Sequence, residues 1–260
     1  MIGPLSYIGG KNRLSRIIIS RIPEEHTAYI EPFCGGAQVF FHKEPSKVEV
    51  LNDLNEDVFN FLRTCKLHYA ELVRQLEFCI ASRKWFELFQ DSNAQGLSDI
   101  QRAARFFYLQ KNCYAGLVKR QNYTVSVADG SNYNPRRIPE QLQKAHERLL
   151  NVQLECLPYQ QILKRYDRPD TFFYLDPPYF NLRYYRYNLE ENDFVDMAKL
   201  LSTLKGKFLL SLNDTAEVRR IFSAFRIEGL SLYYSSQQKK EKRFQEVFIS
   251  NYDLPSLKKE

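Results

Sequence analysis

Thr171-Phe-Phe-Tyr-Leu-Asp-Pro-Pro-Tyr179 is the stretch whose reading decides the fold. Phe172 to Leu175 form a short apolar run that suits a strand buried on both faces, and the two prolines behind it cannot continue a sheet ladder. Asp176 therefore falls at the carboxyl end of a strand, the edge at which open α/β sheets bind ligands. Proline lacks an amide donor, so a turn through Pro177 and Pro178 offers carbonyl acceptors with few competing N–H groups. Asp176 and the Pro177 carbonyl can then accept both hydrogens of one amino group, and Tyr179 supplies a flat face for a base to stack on. A stiff turn after a core strand is the plainer reading of the same residues.

Working outward toward the N-terminus, Ala28-Tyr-Ile-Glu-Pro-Phe-Cys-Gly-Gly-Ala37 reads as a strand running into a tight glycine turn. Gly35 and Gly36 permit the close backbone approach that a side chain would block. A second strand, Lys47 to Leu51, ends in Asn52 and Asp53, the usual place for an acid that binds ribose hydroxyls. Strand, glycine turn, helix, strand and acid together suggest a nucleoside site. Two tempting alternatives fail: the segment around Gly9, Gly10 and Lys11 has Leu5 and Asn12 where a P-loop needs Gly and Ser or Thr, and Asp53 to Asp57 lacks the glycine and glutamate of a calcium loop. Gly9, Gly10 and Lys11 do precede an apolar helical run, an arrangement that favours an anion.

From Asn55 to about Leu150 the periodicity is helical, with Ser98-Asp-Ile-Gln101 as a capping box. Between two of these helices, Tyr123 to Val127 alternates like a strand and Asp129-Gly130 is a turn signal, so a β-hairpin is expected there. Lys119, Arg120, Asn122, Arg136 and Arg137 flank it, and such side chains on a two-stranded ribbon suit base edges in the major groove. After Gln153, strands are expected near 153–157, 171–176, 207–212, 227–234 and 246–252, with helices near 192–204 and 214–225, the latter opened by Asp214-Thr-Ala-Glu217. The helical segment is thus an insertion in one α/β domain: residues 1–54 and 148–260 form the catalytic unit and 55–147 the insert. The basic and aromatic run Phe180 to Tyr187 suits closing over a bound base or strand, and equally a loop that packs its own aromatics, while Lys239, Lys240, Lys242 and Arg243 suggest a solvated hairpin tip.

The chain has 260 residues, 44% hydrophobic and 26% charged, with a net charge of +6, which is an ordinary globular composition with a modest bias toward a polyanionic partner. Its five cysteines are odd in number and never paired as C-x-x-C, and its four histidines form no H-x-x-x-H pair, which argues against a disulfide framework and against a metal site. With no signal-peptide pattern or spanning apolar run, a cytoplasmic protein is expected, with no membrane partner.

Tyr7-Ile-Gly-Gly-Lys11, Glu31-Pro-Phe-Cys-Gly-Gly36, Asn52-Asp53 with Asn55, Asp176-Pro-Pro-Tyr179 and Glu246-Val-Phe-Ile-Ser-Asn-Tyr252 together resemble the Dam-type (D12 class, alpha group) DNA adenine-N6 methyltransferases. The resemblance covers nearly the whole chain and includes the motif order. It implies S-adenosylmethionine as methyl donor, a Rossmann-like sheet that is mostly parallel with its last strand antiparallel, and an inserted helical target-recognition lobe. By motif matching, Tyr7, Gly10, Lys11, Phe33, Gly35, Asp53 and Asp176 would hold the cofactor. Asp176, Pro177 and Tyr179 would be catalytic, and DNA, as a duplex, would be the partner of a monomeric enzyme, alongside a cognate restriction endonuclease. The hairpin region differs from that of the GATC methylases, so the resemblance does not carry GATC recognition. N4-cytosine methylation, methylation of an RNA or protein amide, and a DNA-binding relative without catalysis are the alternatives.

Overall fold

The computed structural model describes residues 3–7, 9, 11, 14–119, 121–126, 128, 130–183, 185–233 and 243–255, with side chains described for all of these except 231–233 and 243–245. In chain order the elements are α1 (Ser15–Arg21), β1 (Ala28–Glu31), α2 (Gln38–His42), β2 (Val48–Asn52), α3 (Glu56–Leu67), α4 (Tyr69–Glu77), α5 (Arg83–Asp91), α6 (Asp99–Asn112), α7 (Ile138–Leu149), β3 (Gln153–Glu155), α8 (Tyr159–Tyr166), β4 (Thr171–Leu175), α9 (Glu191–Leu201), β5 (Lys207–Asn213), α10 (Ala216–Ile221), β6 (Arg226–Tyr233) and β7 (Arg243–Ser250).

The strands form one sheet in the order β3-β2-β1-β4-β5-β7-β6. β1 pairs in parallel with both β2 and β4, while β7 runs antiparallel to β5 on one side and β6 on the other. The sheet is mostly parallel with its last strand antiparallel, as expected. From β1 the chain first winds outward through β2 and β3, then returns to place β4 on the other side of β1. The crevice between the carboxyl ends of β1 and β4 is therefore the topological switch point of the sheet.

Every residue of β4 is buried, because both faces of the sheet are covered. Phe172 and Tyr174 join a core with residues of α1, α2, α3, α6 and α7, whereas Phe173 and Leu175 join a second core with residues of α8, α9 and α10. This explains the continuous apolar run, since a strand covered on both faces has no polar side to alternate with. The helices between β2 and β3 pack into the first of these cores, with Phe61 of α3 stacked on Phe107 of α6 at 5.6 Å between ring centroids. The return from α7 to the sheet is fixed by Glu49 of β2, a buried carboxylate that accepts from Lys43 at 2.7 Å and from two nitrogens of Arg148.

The Ser98 capping box forms with both of its bonds, at 3.3 and 3.0 Å. Before α10 the cap is shifted by one residue: Thr215 accepts from Val218 N at 3.2 Å, and Asp214 pairs with Arg219 instead. α8 was not legible as a helix, since it is short and shows only Tyr159, Ile162 and Leu163 as an apolar face. Among the described residues, the expected hairpin near Tyr123 takes the form of an isolated antiparallel bridge between Ser126 and Gly130, closed by bonds of 3.1 and 2.8 Å, rather than a ladder. The preceding backbone pairs with the end of α6, Thr124 N donating to Asn112 O and Tyr114 N donating to Asn122 O, so its ladder groups are already engaged. Val127 and Asp129 lie outside the described residues.

Gly116 joins the end of α6 to the N-terminal segment. At φ +67° it is in the left-handed region, and a Cβ there would lie 2.7 Å from the backbone of Ser6 and Tyr7. Gly116→Ala should therefore destabilise the protein by about 1–3 kcal/mol, from strain and overpacking together. The measurement is urea unfolding, with a lower midpoint expected at unchanged m value.

Candidate active site

The crevice at the switch point holds a cavity of about 280 Å³. Its wall includes six of the residues singled out for cofactor binding: Tyr7, Lys11, Phe33, Gly35, Asp53 and Asp176. Gly10 lies outside the described residues. β1, β2 and β4 deliver these groups because each strand ends at the same edge and the chain turns there.

On the β1–β2 side, Asp53 is the organising group. Its two oxygens accept from Gly35 N at 2.8 Å and from Asn55 N at 2.9 Å, which ties the glycine turn to the start of α3. Asn55 then caps α3 by accepting from Asp57 N. Burial pushes the Asp53 carboxyl up to about 6, against the pull of these two amides. Gly35 stands at φ +47°, and a Cβ there would meet the Tyr7 ring at 2.9 Å. The same ring lies 6.3 Å from that of Tyr185, and on the other wall Phe33 packs on Tyr159 at 5.2 Å. A buried acceptor carboxylate, a glycine floor and aromatic walls suit a nucleoside.

On the β4 side, Asp176 and Lys11 form the centre. Asp176 Oδ1 accepts from the Lys11 ammonium at 2.9 Å and from the Ser211 hydroxyl at 3.1 Å, and Tyr174 supports Ser211 at 3.2 Å. Both hydrogen bonds fall on Oδ1. Burial raises the pKa of Asp176, while Lys11 and Ser211 pull it down. Burial also opposes the charge on Lys11, yet Asp176 and then Glu246 hold its pKa above the ordinary lysine value. Lys11 donates to the Tyr179 hydroxyl and lies 4.5 Å from the centroid of that ring, so one side of the expected stacking platform is in contact with a cation. Pro177 is buried, and among the described residues its carbonyl carries no hydrogen bond. Asn213 clamps the turn by accepting from Phe180 N at 3.0 Å and donating to Phe180 O at 3.2 Å.

The run after this turn does reach the cavity, with Tyr185, Arg186 and Tyr187 on its wall and Phe180 buried against Phe194. Arg186 pairs with Asp57 of α3 at 3.7 Å, and Tyr184 lies outside the described residues. The basic residues expected to touch DNA are elsewhere. Lys119 and Asn122 are exposed on the loop after α6, Arg136 and Arg137 are exposed at the start of α7, and Arg120 lies outside the described residues. Residues 234–242, with Lys239, Lys240 and Lys242, also lie outside them, as does the side chain of Arg243.

Sequence reasoning missed Ser211, Asn213 and the placement of Glu31 and Glu246. Glu31 lines the cavity with its pKa pushed by burial up to about 8, and its Oε1 accepts from the Tyr29 hydroxyl at 2.6 Å and from Phe40 N at 2.9 Å. Only the position of Glu31 beside the glycine turn signals it. Among the described residues, no group of three or more His, Cys, Asp and Glu is placed to hold a metal ion, and no helix is long and apolar enough to cross a membrane.

Comparison with known proteins agrees with this geometry. Residues 7–236 match the model of the D12 class N6 adenine-specific DNA methyltransferases. The chain is 27% identical to the Type II methyltransferase M.MjaIII of Methanocaldococcus jannaschii over 95% of its own length and 98% of that protein. It is 25% identical to the Type II methyltransferase M1.LlaDCHI of Lactococcus lactis subsp. cremoris, covering 95% and 94%, and 24% identical to the DNA adenine methylase of Haemophilus influenzae, covering 92% and 89%. With most of its length matched in this way, and with the glycine turn, Asp53 and Asp176 gathered on one cavity, the chain belongs to the D12 class of N6 adenine-specific DNA methyltransferases.

Proposed function

We propose that the cavity at the switch point is the reaction chamber, with Asp53 and the glycine turn holding S-adenosylmethionine and Asp176 receiving the adenine amino group. The observation that carries this reading is the placement of Asp176 on the wall of the same cavity as Asp53, with Oδ1 fixed by Lys11 and Ser211. S-adenosylmethionine supplies an electrophilic methyl group when bound.

The amino group of adenine is paired and stacked in a duplex, so the base must leave the helix to reach the floor of this crevice. Its nitrogen is a weak nucleophile because the lone pair is delocalised into the ring. Asp176 and the Pro177 carbonyl accept its two hydrogens, which favours a pyramidal nitrogen and stabilises the positive charge that develops as the new N–C bond forms. Tyr179 and the clamp from Asn213 hold the turn rigid, so the acceptors need no reorganisation at the moment of reaction. Asp53 accepts from ribose hydroxyls, and Tyr7 and Phe33 flank the nucleoside.

We assign residues 55–147 as the target-recognition insert on the catalytic unit formed by 1–54 and 148–260. Its exposed Lys119, Asn122, Arg136 and Arg137 support contact with duplex DNA. The names of two relatives, Type II methyltransferases, support a role beside a restriction endonuclease.

Three outcomes are expected. Asp176→Ala should lower the rate of labelled methyl transfer to unmethylated DNA by at least ~10²-fold while cofactor binding by calorimetry survives; wild-type turnover in this variant would sink the assignment. Asp53 must be ionised to accept strongly, and its carboxyl titrates at about 6, so S-adenosylmethionine affinity should weaken as pH falls through that value and hold steady above it. Asp53→Asn should bind more weakly at neutral pH and lose that pH dependence. Arg136→Ala combined with Arg137→Ala should weaken DNA binding and flatten its salt dependence by about 0.9 in log–log slope for each phosphate no longer neutralised.

A further inference from the structure

Glu246 is a buried carboxylate behind this chamber, beside the Lys11 of its wall, to which the reading above gives no task. It is carried by β7, opposite Asn213 of β5 and Leu230 of β6. Its side chain is 11% exposed, its Oε2 lies 3.9 Å from the Lys11 ammonium, and among the described residues that oxygen has no hydrogen-bond partner. An orphaned oxygen on a buried carboxylate is costly to keep, and a glutamine of the same shape would remove the charge. The position therefore calls for an explanation other than packing.

The neighbouring contacts supply one. Lys11 donates both to Asp176 and to the Tyr179 hydroxyl, so the hydrogen of that hydroxyl is free to turn toward Glu246, with which it interacts. Lys11 with Asp176 alone is a neutral pair, which by itself supplies no surplus negative charge against the positive charge growing on the adenine nitrogen. Lys11 with two carboxylates carries a net charge of −1.

We propose that Glu246 is a positioning residue for methyl transfer, which keeps the Asp176 chamber net negative by sharing the Lys11 ammonium and orienting the Tyr179 hydroxyl. It touches neither the adenine nor the methyl donor. By drawing Lys11 partly to itself it leaves Asp176 a stronger acceptor for the amino hydrogens, and it offsets the charge that develops on the nitrogen. The inference rests on the reading of Asp176 as the adenine acceptor. The titratable groups that face Glu246 are Lys11 from the N-terminal segment, Asp176 and Tyr179 from the turn after β4, and Tyr185 beyond it.

The test is Glu246→Gln beside Glu246→Asp in the full-length protein. The glutamine variant should lose ~10- to 100-fold in kcat, with KM for DNA and the dissociation constant for S-adenosylmethionine changed less than ~3-fold. Its melting temperature should not fall, because a buried charge has been removed. Glu246→Asp, which keeps the charge, should retain more activity than the glutamine. In cofactor-free protein labelled with 15N-lysine, NMR should show the Lys11 ammonium resonance moved, and its hydrogens exchanging faster with water, in the glutamine variant than in wild type. Unchanged kcat, or equal losses in both variants with a lower melting temperature, would overturn the proposal, and so would an unchanged Lys11 resonance and exchange rate. If the wild-type protein methylates no adenine, the functional reading fails, and the Lys11 resonance and exchange rate alone then decide whether Glu246 governs that ammonium.

Discussion

An ammonium that is only 4% exposed cannot remain charged without carboxylates around it, and the site is built on that requirement. Removing an ion from water costs on the order of several kcal/mol, so Lys11 draws Asp176 to 2.9 Å and is held in place by it. Because Lys11 belongs to the N-terminal segment, this pair also holds the described residues of that segment, 3–7, 9 and 11, across the carboxyl edge of the sheet. Tyr7 is thereby set on Gly35, where a Cβ would collide with its ring, and Gly116 is pressed onto Ser6. One ion pair thus gathers the glycine turn, the N-terminal segment and the exit of β4 into a single wall.

The sheet supplies the rigidity that makes this precise. β4 is buried on both faces and hydrogen-bonded on both edges, so the turn that follows it starts from a fixed point. Its neighbours extend that order outward. Leu175 is registered with Leu210, which places Ser211 beside Asp176, and Asn213 two residues on grips Phe180. On the other side of the switch point, Asn52 donates to Pro32 O and to Leu157 O and accepts from Leu157 N, so the ends of β2 and β3 and the exit of β1 are stitched together under the cavity. The carboxylate proposed to receive the adenine therefore rests on the Ser211 hydroxyl and the Lys11 ammonium, and the turn behind it on the Asn213 amide.

What could be read from the residues follows from how local each signal is. Asp176, Gly35 and Asp53 announce themselves because a strand, a turn and an acid lie within a few positions of one another. Ser211, Asn213 and Glu246 do not, since their neighbours are decided by strand pairing across 33 to 235 positions of chain. The antiparallel strand was legible only through resemblance, as periodicity does not encode direction. Alternation at 123–127 suggested a ribbon, yet the backbone there finds its partners at the end of α6, and tertiary pairing overrode the local pattern. The shift of the cap from Asp214 to Thr215 has a similar cause, because Arg219 claims the aspartate.

The place of β7 in the sheet sets the order in which the enzyme can come into being. This strand is the last among the described residues, yet it lies between β5 and β6 rather than at an edge. Until it is in place, β5 and β6 have no partner between them, so the sheet closes only when β7 enters it. The same strand brings Glu246 beside Lys11, which comes from the other end of the described sequence, so one folding step both closes the sheet and supplies the second carboxylate of that charge cluster.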